Sequence, residues 1–157
     1  EKSFHVTVVT QNIDNLHERA GSSHIIHLHG ELTKVCSSRD PHNPHYIKEL
    51  KPEEYEVKMG DKAGDGTQLR PFIVWFGEAV PEIETAIQYV EKADIFVIIG
   101  TSLNVYPAAG LLHYVPRGAE VYLIDPKPVD THTSRSIHVI QKGASEGMGE
   151  LKQLLGV

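Results

Sequence analysis

The chain has 157 residues, 40% of them apolar, with 13 glycines and a formal net charge of −6. A chain near 150 residues makes one domain of ordinary size and buries roughly 68–70% of its unfolded surface, so a real core is available. The acidic balance without a basic block argues against nucleic acid or an anionic membrane as partner, no apolar run reaches the roughly 18 residues a span needs, and the single cysteine, Cys36, excludes an internal disulfide and fits a reducing, cytoplasmic compartment.

Phe4–Thr10 is a β-branched-rich run and reads as a buried strand. Ile13–Ala20 reads as a short helix, with Gly21 as its stop signal. Ile25–His29 is a second strand, and Glu31–Val35 continues as strand or turn. From 36 to 70 the composition changes. Asp40-Pro41-His42-Asn43-Pro44-His45 and Gly60–Gly66 are turn and loop sequence, and the stretch reads as a small irregular insertion. Pro71–Phe76 is a further strand ending in Gly77-Glu78. Ile83, Ala86, Ile87 and Val90 share one face of a helix over Ile83–Ala93. Asp94–Ile99 is a continuous apolar strand of the parallel-sheet kind. Pro107 opens a helix to about Tyr114, Glu120–Ile124 and Ser136–Ile140 are strands, and Gly147–Leu155 is a closing helix. Strands alternating with helices predict an α/β fold, a Rossmann-type, mostly parallel sheet. No signal peptide is present, and the chain opens on Glu-Lys-Ser without an initiating Met, which reads as an excerpt.

Three places carry polar or small residues where a strand ends, which is where open α/β sheets bind ligands. The first is Gln11-Asn12-Ile13-Asp14, with His27-Leu28-His29-Gly30 fifteen residues on. Amide side chains offer donors and acceptors, a carboxylate accepts, and a histidine is the natural general base near neutral pH. The competing reading is a strand-to-helix turn capped by Asn and Asp. The second is Gly100-Thr101-Ser102, followed by Asp125 and Gly143-Ala144-Ser145 at the ends of the next strands. Small residues and backbone N–H groups suit a phosphate or ribose, and plain turns are the alternative. The third is Val74-Trp75-Phe76-Gly77-Glu78, which alone reads as an ordinary buried strand with Trp75 or Phe76 in the core.

The motifs TQNIDNLHERAG and HLHG, then IVWFGE (73–78), GTSLNVYPAAG (100–110) and LIDPKP (123–128), resemble the sirtuins, the NAD-dependent protein lysine deacylases, in the family's order and over nearly the whole chain. The bacterial, class III branch is the nearest in character. The resemblance implies NAD as cofactor and acyl-lysine proteins or peptides as substrates. It implies His29 as general base on a ribose hydroxyl after nicotinamide departs. It gives Gln11, Asn12, Ile13 and Asp14 the ribose and nicotinamide, with Asn12 and Asp14 counted with His29 as catalytic. It gives Gly100, Thr101, Ser102, Asp125 and Ala144 the rest of the cofactor. Asp125 stands where sirtuins usually carry Asn. Val74 and Phe76 would line the acyl-lysine channel, and Gly77, Glu78, Leu103, Asn104 and Val105 would pair with peptide backbone by strand addition.

Two family features are absent from the sequence. Sirtuins hold a structural zinc with two CxxC pairs in the insertion; here only Cys36 stands in place, so zinc is not expected, and a Cys36/His42/His45 site with a carboxylate is the alternative. The GAGIS-type loop that cradles the pyrophosphate is also missing. The chain thus resembles the second half of a sirtuin. Residues 1–35 and 71–157 are expected to form part of the NAD domain, and 36–70 a degenerate zinc module. The missing half, or self-association, is the expected companion. A non-catalytic NAD or acyl-peptide binding module and a metal-binding structural fragment are the alternatives. His27 is expected to point to the other face from His29 and to matter less.

Overall fold

The computed structural model describes residues 1–51, 53, 55–101, 106–129 and 133–157. Ser102, Leu103, Asn104 and Val105 therefore lie outside the described residues. The chain divides into two compact units, Val6–Glu82 and a second made of Glu1–His5 with Ile83–Val157.

The first unit opens with β1 (Val8–Thr10), α1 (Leu16–Arg19) and β2 (Ile25–His27). β1 and β2 run parallel, with Thr10 opposite His27, and the Leu28 N–H to Thr10 carbonyl bond of 3.0 Å extends the ladder by one rung. β3 (Gly30–Ser37) then pairs antiparallel with β4 (Lys48–Glu49) and with β5 (Leu69–Ile73). Residues 36–70 thus lend more to a sheet than their loop composition suggests: Cys36, Ser37, Lys48, Glu49, Leu69 and Arg70 all lie on its strands, where the flanks of the loops pair with each other. The register shifts between Glu31 and Val35. Gly30 makes the start of this sheet possible. Its φ is +76°, and a Cβ there would strike the Phe72 carbonyl oxygen on β5.

The second unit carries α2 (Glu82–Val90), β6 (Ile95–Ile99), β7 (Glu120–Ile124), β8 (His138–Ile140) and α3 (Ala144–Leu154). The strands form a parallel sheet in the order β6-β7-β8. The central strand has Val121, Tyr122, Leu123 and Ile124 all buried, as an apolar run in a parallel sheet requires. β6 lies at the edge and leaves Ile99 41% exposed, so the full burial expected from its composition belongs to β7 instead. Tyr122, Ile124 and Ile140 pack on Leu151 of α3. Gly147 sits where α3 crosses the sheet; a Cβ there would collide with the Ile124 side chain. On α2 the predicted stripe holds: Ala86 and Val90 are buried, with Ile83 and Ile87 half-buried. The helix expected from Pro107 is a 3-10 helix over Ala108–Tyr114, with Ala109, Leu111 and Leu112 buried.

Candidate functional site at the strand ends

In the first unit, Gln11–Asp14 follow the end of β1, and Leu28–Gly30 follow the end of β2. The Thr10 hydroxyl accepts the Asn12 N–H at 3.1 Å, and an Asp14 carboxylate oxygen accepts the Leu16 N–H at 3.0 Å, capping α1. The capping role weighed from the sequence is therefore real for Asp14, and it uses one of its two oxygens. The Gln11 and Asn12 side chains have no partner among the described residues, and Asn12 is exposed.

The two histidines hold consecutive backbone carbonyls of this segment. His29 Nδ1 lies 3.0 Å from the Gln11 oxygen, and His27 Nδ1 lies 3.2 Å from the Asn12 oxygen. A carbonyl only accepts, so each Nδ1 must carry the proton. His29 is then fixed as the tautomer whose Nε2 presents a lone pair, and that nitrogen has no partner among the described residues. This is the arrangement a general base needs. The expectation that His27 faces away from His29 is not met. Both rings bond to consecutive carbonyls of the Gln11–Asn12 segment, His27 from the end of β2 and His29 from the turn that follows it.

The Nε2 of His27 lies 2.7 Å from Glu18 and 3.8 Å from Glu31, and Glu31 is ion-paired with Lys34. Burial raises the Glu18 carboxyl, but the hydrogen bond from His27 and its own backbone amide outweigh this, and it lies below its ordinary value. Glu18, His27 and Glu31 are the one group among the described residues whose ligand atoms gather within 4.8 Å, a spacing a metal ion could use. Here the imidazole and the Lys34 ammonium already serve both carboxylates. Sequence reading missed this group; its signal was the four-residue step from His27 to Glu31.

The turn after β5 carries the third set. Trp75 is 54% exposed and Phe76 fully exposed, so neither is a core side chain, contrary to the plain-strand reading. Val74 donates to the His29 carbonyl at 2.9 Å, which joins this turn to the histidine. Gly77 has φ +91°. Glu78 is bound inward: Arg70 grips both its oxygens at 2.7 and 2.9 Å, and the Trp75 N–H donates to it at 3.0 Å. The Arg70 fork and the Trp75 amide hold the Glu78 carboxyl down at about 2. Nothing in the sequence pattern marked Arg70, which also donates to the Ile73 carbonyl at 2.7 Å.

In the second unit Gly100, Asp125 and Ala144 follow the C-terminal ends of three adjacent parallel strands. Gly100 has φ +60°, and its N–H is spent on the Ile124 carbonyl at 3.0 Å. The Asp125 carboxylate accepts the Lys127 N–H at 2.8 Å, an Asp-Pro turn, through one oxygen; the other has no partner among the described residues. Ala144 opens α3 behind Gly143, with no side-chain cap on the first turn, so N–H groups there are available to an acceptor.

A tetrahedral structural zinc needs several thiolate or imidazole ligands, and the insertion's candidates are Cys36, His42 and His45. Cys36 is fully buried with its thiol on the Pro71 carbonyl at 3.7 Å, and burial pushes that thiol up from its ordinary value. The His42 ring meets Phe72 edge-on, with centroids 6.3 Å apart. Among the described residues Cys36, His42 and His45 are not gathered as a ligand group. The insertion is closed instead by hydrogen bonds. The Ser37 hydroxyl donates to Asp65 at 2.7 Å and accepts the Arg39 and Asp40 N–H groups at 3.0 Å, and Thr67 gives Asp65 both its hydroxyl and its N–H. The Ser37 and Thr67 hydroxyls hold the Asp65 carboxyl at about 2.

An α/β chain with amides, a carboxylate and a tautomer-fixed imidazole at one set of strand ends, and small residues at another, is of the class that binds nucleotide-like ligands at strand termini. The sequence model of the Sir2 family matches residues 1–107, and the chain belongs to that family. It is 92% identical over 155 residues to an NAD-dependent protein deacylase of Bacteroides thetaiotaomicron, covering 99% of this chain and 66% of that protein. It is 47% identical to an NAD-dependent protein deacylase of Helicobacter pylori, covering 96% of this chain and 63% of that one. Among solved structures, a Sir2 homolog in complex with NAD superposes with a TM-score of 0.77 at 34% identity, over 96% of this chain and 58% of that one. A Sir2 complex with a p53 peptide and NAD+ gives 0.76 at 28% identity, over 99% and 65%. The chain thus spans about two thirds of the length of the curated relatives it matches. Among the described residues no helix is long and apolar enough to cross a membrane.

Proposed function

We propose that this chain carries the base and part of the cofactor site of an NAD-dependent protein lysine deacylase. The observation that carries the reading is His29, with Nδ1–H held by the Gln11 carbonyl and Nε2 left as an open lone pair among the described residues. When bound, NAD would supply the ribose carbon that accepts the acyl oxygen, with nicotinamide as leaving group. His29 Nε2 takes a proton from a ribose hydroxyl. Gln11 and Asn12 orient the ribose with side-chain amides that no described residue occupies, and Asp14 uses its remaining oxygen on the carboxamide. Ile13 contributes backbone and apolar contact: its carbonyl is taken by Leu32 N–H at 2.8 Å, which fixes the segment.

Gly100, Thr101, Ser102, Asp125 and Ala144 are assigned to the remainder of the cofactor, Asp125 through its second oxygen to ribose hydroxyls. Val74 and Phe76 are assigned to the acyl-lysine stem. Gly77, Glu78, Leu103, Asn104 and Val105 are assigned to peptide backbone. Exposure of the Phe76 and Trp75 rings supports this, since an apolar turn left in water suits a partner surface. The Glu78 carboxylate is spent on Arg70, so its share of peptide binding falls to the backbone. The assignment of 1–35 and 71–157 to the NAD domain, and of 36–70 to the small module, belongs to the same proposal. A cytoplasmic setting fits the lone, buried Cys36 thiol.

The deciding experiment assays deacylation of an acetyl-lysine peptide with NAD, on this chain alone and within the full natural chain that carries it. Turnover is expected only in the longer chain. NAD or acyl-peptide binding without turnover there would make the protein a binding module.

A further inference from the structure

We propose that His27 is a positioning residue for this site: its ring ties the Asn12 carbonyl to Glu18 of α1 and so fixes the segment Asn12–Asp14. The proposal rests on the deacylase reading for its effect on turnover, and on the structure alone for the tie.

The argument begins with what the ring faces. Nδ1 meets the Asn12 carbonyl at 3.2 Å and Nε2 meets Glu18 at 2.7 Å. Both partners are acceptors, so each contact is made by a ring N–H of His27. The His27 side chain is 8% exposed, while its Glu18 partner stands at the surface of α1. A hydrogen bond to a carboxylate is stronger than one to a neutral acceptor. The charged groups around the ring are Glu18 from α1, with His17 adding a positive influence on Glu18, and Glu31 and Lys34 from β3, paired with each other.

What the tie restrains is specific. Asn12 and Asp14 sit between β1 and a helix of only one turn, α1, which has no side-chain cap from Asn15 and no buried residue. A helix this short does not hold itself. Its Asp14 cap anchors the front, and Glu18 to His27 anchors the back, across to β2. Without His27 the segment loses the second anchor, and the Asn12 carbonyl and the Glu18 carboxylate lose their donor together. His29 performs the parallel service for Gln11 but keeps its other nitrogen open among the described residues, so two histidines two positions apart divide the work: one ring is consumed in holding, the other is held and remains available.

The test uses the full natural chain with His27→Ala, His27→Asn, His27→Gln, Glu18→Ala and the double Ala variant. The Asn amide falls near Nδ1 of the ring it replaces and keeps a donor for the Asn12 carbonyl; the Gln amide falls near Nε2 and keeps one for Glu18. His27→Ala is expected to raise KM for NAD about tenfold, the low end of what losing a hydrogen bond to a charged group costs, with KM for the acyl peptide unchanged. His27→Asn should recover most of that loss, and His27→Gln less. The double Ala variant should be no worse than His27→Ala, because both changes cut the same tie. Amide hydrogen exchange at Asn12–Asp14 should accelerate in His27→Ala in this chain as well. An equal rise in both KM values, or no rescue by Asn, would overturn the proposal while leaving the deacylase reading intact. Absence of turnover in the unmodified protein would overturn the reading, and unchanged exchange at Asn12–Asp14 would then overturn the tie on its own. Glu18 is exposed on α1, so Glu18→Ala judges the tie even if the His27 variants fail to fold.

Discussion

The ends of β1 and β2 and the ends of β6, β7 and β8 meet ligand-type chemistry in opposite ways. The first set offers side chains whose orientation is fixed by backbone partners: His29 by Gln11, His27 by Asn12, Asp14 by Leu16. The second offers small residues and turn backbone, with Asp125 as its single committed carboxylate. Side chains that must move a proton need their rotamer and tautomer set in advance; surfaces that only accept a ligand need room and unspent N–H groups. Under the proposed function, chemistry falls to the first set and affinity to the second.

The sharpest way to break that division is His29→Ala. A positioned base contributes about 10²–10⁴-fold, so turnover in the full natural chain should fall by that factor while calorimetry finds NAD still bound. Loss of binding in step with turnover would erase the distinction between the two sets.

The glycines offer the next test, on stability. Gly30→Ala places a Cβ at φ +76° against a backbone carbonyl that cannot swing aside, whereas Gly147→Ala meets a side chain, Ile124, and gains helix propensity. A strained backbone position costs about 1–3 kcal/mol and Ala favours a helix by about 1 kcal/mol over Gly. Urea melts should therefore show the first unit losing more to Gly30→Ala than the second loses to Gly147→Ala.

Asp125→Ala should weaken NAD binding by about tenfold with kcat nearly unchanged, from the loss of one hydrogen bond to a charged acceptor. A fall in kcat at saturating NAD would move Asp125 into the first set.

The smallest expected effect concerns acid and metal. Asp65 and Glu78 titrate at about 2 in the folded chain, below their ordinary 3.8 and 4.5. Groups depressed in this way stabilise the fold above their unfolded values, and that contribution drains away as pH falls toward 2. Both are largely solvated, so the acid limb should be shallow. Asp65→Asn should flatten part of it, and a chelator should leave the melting temperature at neutral pH unchanged. One zinc per chain by elemental analysis would contradict the hydrogen-bonded closure of the insertion.

Much of this was legible in the sequence where periodicity was strong. Glu120–Ile124 was read to the residue, and the Ile83/Ala86/Ile87/Val90 stripe faces inward as drawn. The first strand was read as Phe4–Thr10 but pairs only from Val8, because a β propensity without a neighbour makes no ladder. His29 was read as the base and His27 as turned away from it, whereas both rings bond to the Gln11–Asn12 segment. The Arg70–Glu78 fork and the Ser37–Asp65–Thr67 network had no sequence signal. Their partners are 8, 28 and 30 residues apart, and only the antiparallel return of β5 onto β3 and the folding of the loops bring them together.

The buried Cys36 thiol has a practical consequence. It lies fully buried on β3 opposite Arg70 of β5, with its ionisation disfavoured by burial, so a thiol reagent reaches it only when that sheet opens. Its alkylation rate, followed across reagent concentrations and denaturant, is therefore a clock for sub-global opening of the first unit. As the one cysteine in the chain, it reports on that motion with no second signal to subtract.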